Sequence, residues 1–328
     1  MSTSDDVRAW ERPLRRVTWR VVIQLGLLVL ATIAVLRFVG NIEFDEVGDD
    51  LADANWAWVL LAFVVAQLPR LTQALSAKGS VVADIPYVLL YVLQLATSYL
   101  NLALPSGIAR MAVFIRFFQR QGLPGASAVT AGAIDSFAGN VLQAILVVVL
   151  ALLTSTDLLP ELGAPAGDSR RLFWIVLALA VATVLVTGLV GRIRRFLTDR
   201  LRVWLPQVKS ALGALRRSNR LALLIGGNLA TELLFASALG LMARAFGYHV
   251  ALSELILINS GASLLSSFIP VPGGIGVVEL SLEVGLISAG MTPSAATATI
   301  LLYRLATFFL PPLWGSVAFR WLEQNGYL

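Results

Sequence analysis

Cysteine is absent from the 328 residues, which excludes disulfides and thiolate metal sites. Histidine occurs once, as His249 beside Gly247 and Tyr248, a setting that reads as an interfacial surface residue and not a ligand. Charge is scarce as well: 14% of residues are Asp, Glu, Lys or Arg, against roughly a quarter in a soluble domain. What fills the chain instead is apolar, 57% of it, with a mean hydropathy of +0.79. That is the composition of an integral membrane protein. Twenty-five Lys and Arg against 20 Asp and Glu leave +5, an excess that concerns topology and anionic lipid more than nucleic acid.

Charges gather between long apolar runs. Arg8, Arg12, Arg15, Arg16 and Arg20 precede the run Val21 to Val39, which no small-residue cleavage site closes, so it reads as an uncleaved first span. Basic residues there put the N-terminus in the cytoplasm. The acidic stretch Glu43 to Asp53 then fits the outer side, and a second span is expected from about Trp56 to Ala77. Further spans are expected at Ala126 to Leu153, Leu172 to Val190, Leu221 to Phe246 and Ala295 to Phe319, with Arg320 returning to the cytoplasm. Between two of them, 192 to 220 holds nine basic residues and one acid. This stretch is either an amphipathic helix on anionic lipid or a solvated loop helix that sets topology.

Two segments do not fit simple spans. Pro270-Val271-Pro272-Gly273-Gly274-Ile275-Gly276 puts two prolines and three glycines in seven residues, between apolar flanks too short to cross alone. Leu104-Pro105-Ser106-Gly107 interrupts an earlier apolar run in the same way, just after Asn101. Broken backbone survives in lipid only where protein or water satisfies it, so both read as tips of re-entrant hairpins, at 85 to 121 and 251 to 289. The two breaks align at an offset of 167, and Gly122-Leu123-Pro124-Gly125 aligns with Gly290-Met291-Thr292-Pro293 at 168. The expected architecture is therefore an all-α polytopic membrane domain, residues 1–328, of about six full spans and two hairpins. Repeat one covers about 18–153 and repeat two about 171–320, in inverted orientation with both termini cytoplasmic. Such repeats are a recurring transporter design, with the site near the midplane.

Ionisable residues inside spans are functional candidates: Arg70, Arg110, Arg116, Asp135, Glu232, Arg244, Glu279, Glu283 and Arg304. Asp135 and Arg304 occupy nearly corresponding places in the two halves, so they are expected to approach each other or a shared polar cavity, in a functional or a merely structural pairing. Arg110 and Arg116 follow the first break and can receive a lipid phosphate bidentately or snorkel to the interface. Glu279 follows the second break closely and can neutralise an arginine or carry a proton.

The run Pro270 to Glu279, followed by Gly290, Tyr303-Arg304-Leu305-Ala306-Thr307, Pro311-Pro312 and Gly315, resembles the lysylphosphatidylglycerol synthase transmembrane region family. This is the family of the flippase domain of bacterial multiple peptide resistance factors and of many stand-alone proteins. The resemblance implies an eight-segment helical domain that moves lipid between leaflets. Pro272, Gly273, Gly274, Gly276, Glu279 and Arg304 match its motif positions. The first motif departs from it, since Ile108-Ala109 stands where an acidic residue is expected. With no soluble aminoacyl-transfer domain among these residues, the cargo is not expected to be limited to lysyl-lipid.

The expected function is a flippase-like translocase of the cell membrane, without enzymatic activity, cofactor, metal or nucleic-acid partner. Its partners are membrane lipids, anionic, aminoacylated or polyprenyl-linked, with room left for a homo-oligomer or a synthase partner. The expected substrate site comprises Asn101, Arg110, Arg116, Asp135, Glu279 and Arg304, beside the tips Pro105, Ser106, Gly107, Pro270, Pro272, Gly273, Gly274 and Gly276. The alternative is an intramembrane enzyme on a lipid or polyprenyl phosphate, or an accessory subunit of a lipid or glycan synthase.

Overall fold

A computed structural model describes residues 44–103, 106–155, 219–268 and 272–328, and among them every regular element is helical. The expected spans Val21 to Val39 and Leu172 to Val190 lie outside the described residues, as does nearly all of the basic stretch. The acidic stretch carries a helix, α1 (Phe44–Asp53), with Asp45 and Glu46 in the first turn where the helix dipole favours them. The second span is not continuous. It divides into α2 (Trp56–Val65), capped by the Asn55 side chain, and α3 (Pro69–Gly79), because Pro69 has no N–H to carry the ladder through.

The first broken segment forms α4 (Tyr87–Ala103) and α5 (Ser106–Arg120), followed by the long α6 (Gly125–Ser155). The second half continues with α7 (Arg220–Ala245), then the arms α8 (Leu252–Phe268) and α9 (Val277–Ser288), then α10 (Pro293–Arg304) and α11 (Pro311–Gln324). Among the described residues, four stretches are long and apolar enough to cross a bilayer: Trp56–Gly79, Gly125–Leu150, Arg220–Ala245 and Pro293–Gln324. Their outer faces carry exposed apolar side chains such as Leu60, Val64, Phe137, Leu313 and Val317.

The stretches matched in sequence adopt the same local structure. Gly122 and Gly290 both take positive φ, and the next N–H, of Leu123 or Met291, returns to Phe118 O or Leu286 O at 3.1 Å. Each hairpin thus ends in the same glycine cap. Packing is exchanged between halves: α4 lies on α11, while α8 lies on α6. At the centre α3 and α7 cross antiparallel, with Thr72 and Thr231 hydroxyls 2.6 Å apart. The crossing is tight enough that a Cβ on Gly79 would meet Leu224 N at 2.2 Å and one on Gly227 would meet Ser76 N at 2.6 Å.

Apolar burial divides into two main clusters. One joins α2, the second half of α7, α8, α9 and α10; the other joins α3, α4, α5, the start of α6 and the end of α11. Along α2–α3 and α6, polar side chains fall between the residues that enter one cluster and those that enter the other. Gln67 and Arg70, and Asp135 and Gln143, occupy these places, whereas Arg304 lies within the first cluster between Tyr303 and Ala306, and Thr231 and Glu232 just precede that cluster's residues on α7. A polar layer therefore separates two apolar cores. The Pro272–Gly274 turn at the second break packs on both arms of the first hairpin, which sets the second tip beside this layer.

Candidate functional site

The second break is built around glycine conformations. Gly273 has φ 64°, and a Cβ there would lie 2.0 Å from Cζ of Phe308, so the ring fits only against glycine. Gly276 has φ 84° and caps α9. Its N–H donates to Oε2 of Glu279 at 2.7 Å, placing a carboxylate over the exposed N–H groups of the helix start.

The same carboxylate binds Arg304. Nε of Arg304 lies 2.5 Å from Oε1 of Glu279, and both residues are buried. Nη2 donates to Gly273 O at 3.1 Å, and the guanidinium sits 4.3 Å from the Phe308 ring centroid. Arg304 thus clamps the turn at its carbonyl and at its helix cap together. Taking two charges out of water costs several kcal/mol per ion, which only such geometry offsets.

Just beyond Arg304 the helix widens into a π-turn, Leu305–Phe309, where Leu310 N–H donates to Leu305 O at 2.9 Å. Leu310 N–H is thereby diverted from Ala306 O, and Pro311 supplies no N–H for Thr307 O. Side chains of the α2–α3 break meet these carbonyls: Gln67 Nε2 donates to Ala306 O at 2.9 Å and Arg70 Nη2 to Thr307 O at 3.0 Å. Two proline breaks on different helices therefore complete each other.

Two carboxylate clusters complete the polar layer. Asp135 accepts from Ser76 Oγ at 3.4 Å, and Ser76 Oγ accepts from Asn228 Nδ2 at 2.6 Å, which joins α6, α3 and α7. Glu232 accepts from Gln143 Nε2 at 2.8 Å and Ser260 Oγ at 3.0 Å, with the Tyr303 hydroxyl bonded to Asn259 Oδ1 at 2.8 Å on the neighbouring helices.

Of the residues expected at the site, Glu279 and Arg304 are brought together with Gly273 and Gly276, and Pro272 and Gly274 complete the same turn. Asp135 and Arg304 are not joined by an ion pair, since Arg304 is engaged by the second tip. Asp135 is itself buried. Arg116 is exposed on α5, as is Arg120 in its last turn. Ser106 and Gly107 open α5, while Asn101 and Arg110 fall on α4 and α5 with side chains outside the described residues. Pro105 and Pro270 also lie outside the described residues. Gln67, Gln143, Asn259 and Ser260 were not singled out by sequence. Pro69 and the Pro311-Pro312 pair were the available signal, because a proline inside a span leaves a carbonyl that some side chain must satisfy.

Residues 21–315 match the family described as lysylphosphatidylglycerol synthase TM region. A comparison with curated proteins gave no match.

Proposed function

The chain belongs to the lysylphosphatidylglycerol synthase TM region family, and from that membership we propose that it is a lipid translocase of the cell membrane. A headgroup enters the polar layer between the two hairpins while its acyl chains stay in the bilayer. The observation that carries this reading is the set of intramembrane charges, in which Arg70, Asp135, Glu232, Glu279 and Arg304 are all buried. Intramembrane charges are costly and mark pathways more often than scaffolding.

In this reading the two hairpins are re-entrant from opposite sides and the halves form an inverted repeat. The matching glycine caps, the exchanged packing and the antiparallel α3–α7 crossing support it. In the state described here Arg304 serves as a clamp on the second tip, so it does not offer its full charge to a headgroup. Arg116 and Arg120, exposed on the first hairpin, supply the cationic surface for collecting anionic headgroups.

Leaflet-resolved transfer of labelled phosphatidylglycerol, phosphatidylethanolamine and polyprenyl phosphate in proteoliposomes tests the proposal. Faster equilibration than in empty vesicles for at least one lipid is expected. Equal rates for all three, with release of inorganic phosphate, would instead favour an enzyme acting on lipid phosphate.

A further inference from the structure

Two buried carboxylates of the polar layer are held in opposite ways. Glu279 meets only donors, a guanidinium on one oxygen and a backbone N–H on the other. Glu232 meets the primary amides of Gln143 and Asn259 and the Ser260 hydroxyl, and among the described residues no Lys, Arg or His nitrogen lies within 4.0 Å of it. Amides and hydroxyls both donate and accept. The ionised carboxylate accepts from Gln143 and Ser260; the protonated one donates to the Ser260 oxygen once that hydroxyl has turned. Both forms keep hydrogen-bond partners on the carboxyl group, whereas an anion without a cation so deep is expensive to hold permanently. Depth follows from position: Glu232 is the thirteenth residue of α7, about 18 Å from its start at 1.5 Å per residue, near the middle of a ~30 Å core.

The geometry points to Glu232 as a proton-binding site that alternates between carboxylate and carboxylic acid. Water delivers the proton, an O–H bond forms on the carboxylate, and water removes the proton on release. Its use in driving lipid movement rests on the translocase reading; the binding itself does not. The titratable and charged groups carried by the helices packed on α7 include Arg70 and Lys78 on α3, Asp135 on α6, Glu254 on α8, and Tyr303 and Arg304 on α10, with Arg220 and Arg244 at its own ends. Arg304 is neutralised by Glu279, and Arg70 lies 6.0 Å from the Phe235 ring centroid.

Infrared difference spectra of the purified full chain in lipid nanodiscs, acid minus alkaline, test the site. The wild type should show a protonated-carboxyl C=O band with a component that Glu232→Gln loses and Glu283→Gln, on α9, retains. Persistence of the whole band in a folded Glu232→Gln variant overturns the assignment. Should that variant fail to fold, Glu232→Asp decides: a band displaced in frequency supports the site, and an unmoved band overturns it. The purpose is tested separately in proteoliposomes with labelled phosphatidylglycerol, where an imposed pH gradient should change wild-type transfer and leave Glu232→Gln unaffected. Loss of the band without transfer by any variant keeps the proton site and removes the translocase reading.

Discussion

Replacing Arg304 by Met leaves Glu279 buried with one backbone N–H, removes the hydrogen bond to Gly273 O and strips the cation from the Phe308 face. Removing one partner of a buried pair costs about 3–5 kcal/mol. Glu279→Gln should cost less, because the amide oxygen can still cap Gly276 and Arg304 keeps the Gly273 carbonyl. The double variant Glu279→Gln/Arg304→Met removes both charges, so it should be more stable than the sum of the singles implies, by roughly 1–3 kcal/mol of coupling. Exchanging the two residues should not rescue, since an arginine at position 279 would face the positive end of α9 and lose the cap. Reversible denaturation in mixed micelles reads all four variants. Coupling below about 0.5 kcal/mol, or an exchange variant as stable as wild type, would refute the clamp.

Gly273→Ala combines a left-handed backbone with a Cβ that would sit 2.0 Å from the Phe308 ring, so a loss above about 1–3 kcal/mol is expected. Phe308→Ala in the same chain should restore only part of it, because the φ strain remains; full rescue in the same denaturation assay would show that the ring alone is responsible. Gln67→Leu leaves the Ala306 carbonyl without its side-chain donor and should cost about 1–3 kcal/mol. A stability equal to wild type would mean that water replaces the amide. Asp135→Asn and Arg304→Met should add within about 0.5 kcal/mol, since the two are not paired; strong coupling in a double-mutant cycle would contradict that.

Much of the architecture could be read from local chemistry. Pro270 to Gly276 cannot continue a helix, and the described ends of α8 and α9 fall on either side of that stretch. Gly122 and Gly290, which align in sequence, do perform the same cap. Glu279 and Arg304 were both marked, yet their pairing was not, because repeat correspondence relates equivalent places and says nothing about contact. Arg304 instead reaches a carboxylate 25 positions earlier in its own half. The Glu232 cluster was harder still. α6 and α7 are apolar around nearly their whole circumference, so periodicity gives no rotation that would turn Gln143 toward Glu232. The break at Pro69 was hidden for a related reason: the residues around it are apolar enough to read as one span.

The central claim is that a headgroup crosses through the layer between the hairpins. The absence of native cysteine makes a direct measurement available. Ser98 is buried on α4, the arm of the first hairpin on which the second tip packs, whereas Val149 is exposed on α6. Leaflet-resolved transfer of labelled lipid is measured for Ser98→Cys and Val149→Cys before and after reaction with a bulky charged thiol reagent, with the extent of labelling quantified. Labelling at Ser98 should abolish transfer and labelling at Val149 should leave it unchanged. Undiminished transfer through a fully labelled Ser98→Cys protein would contradict the account.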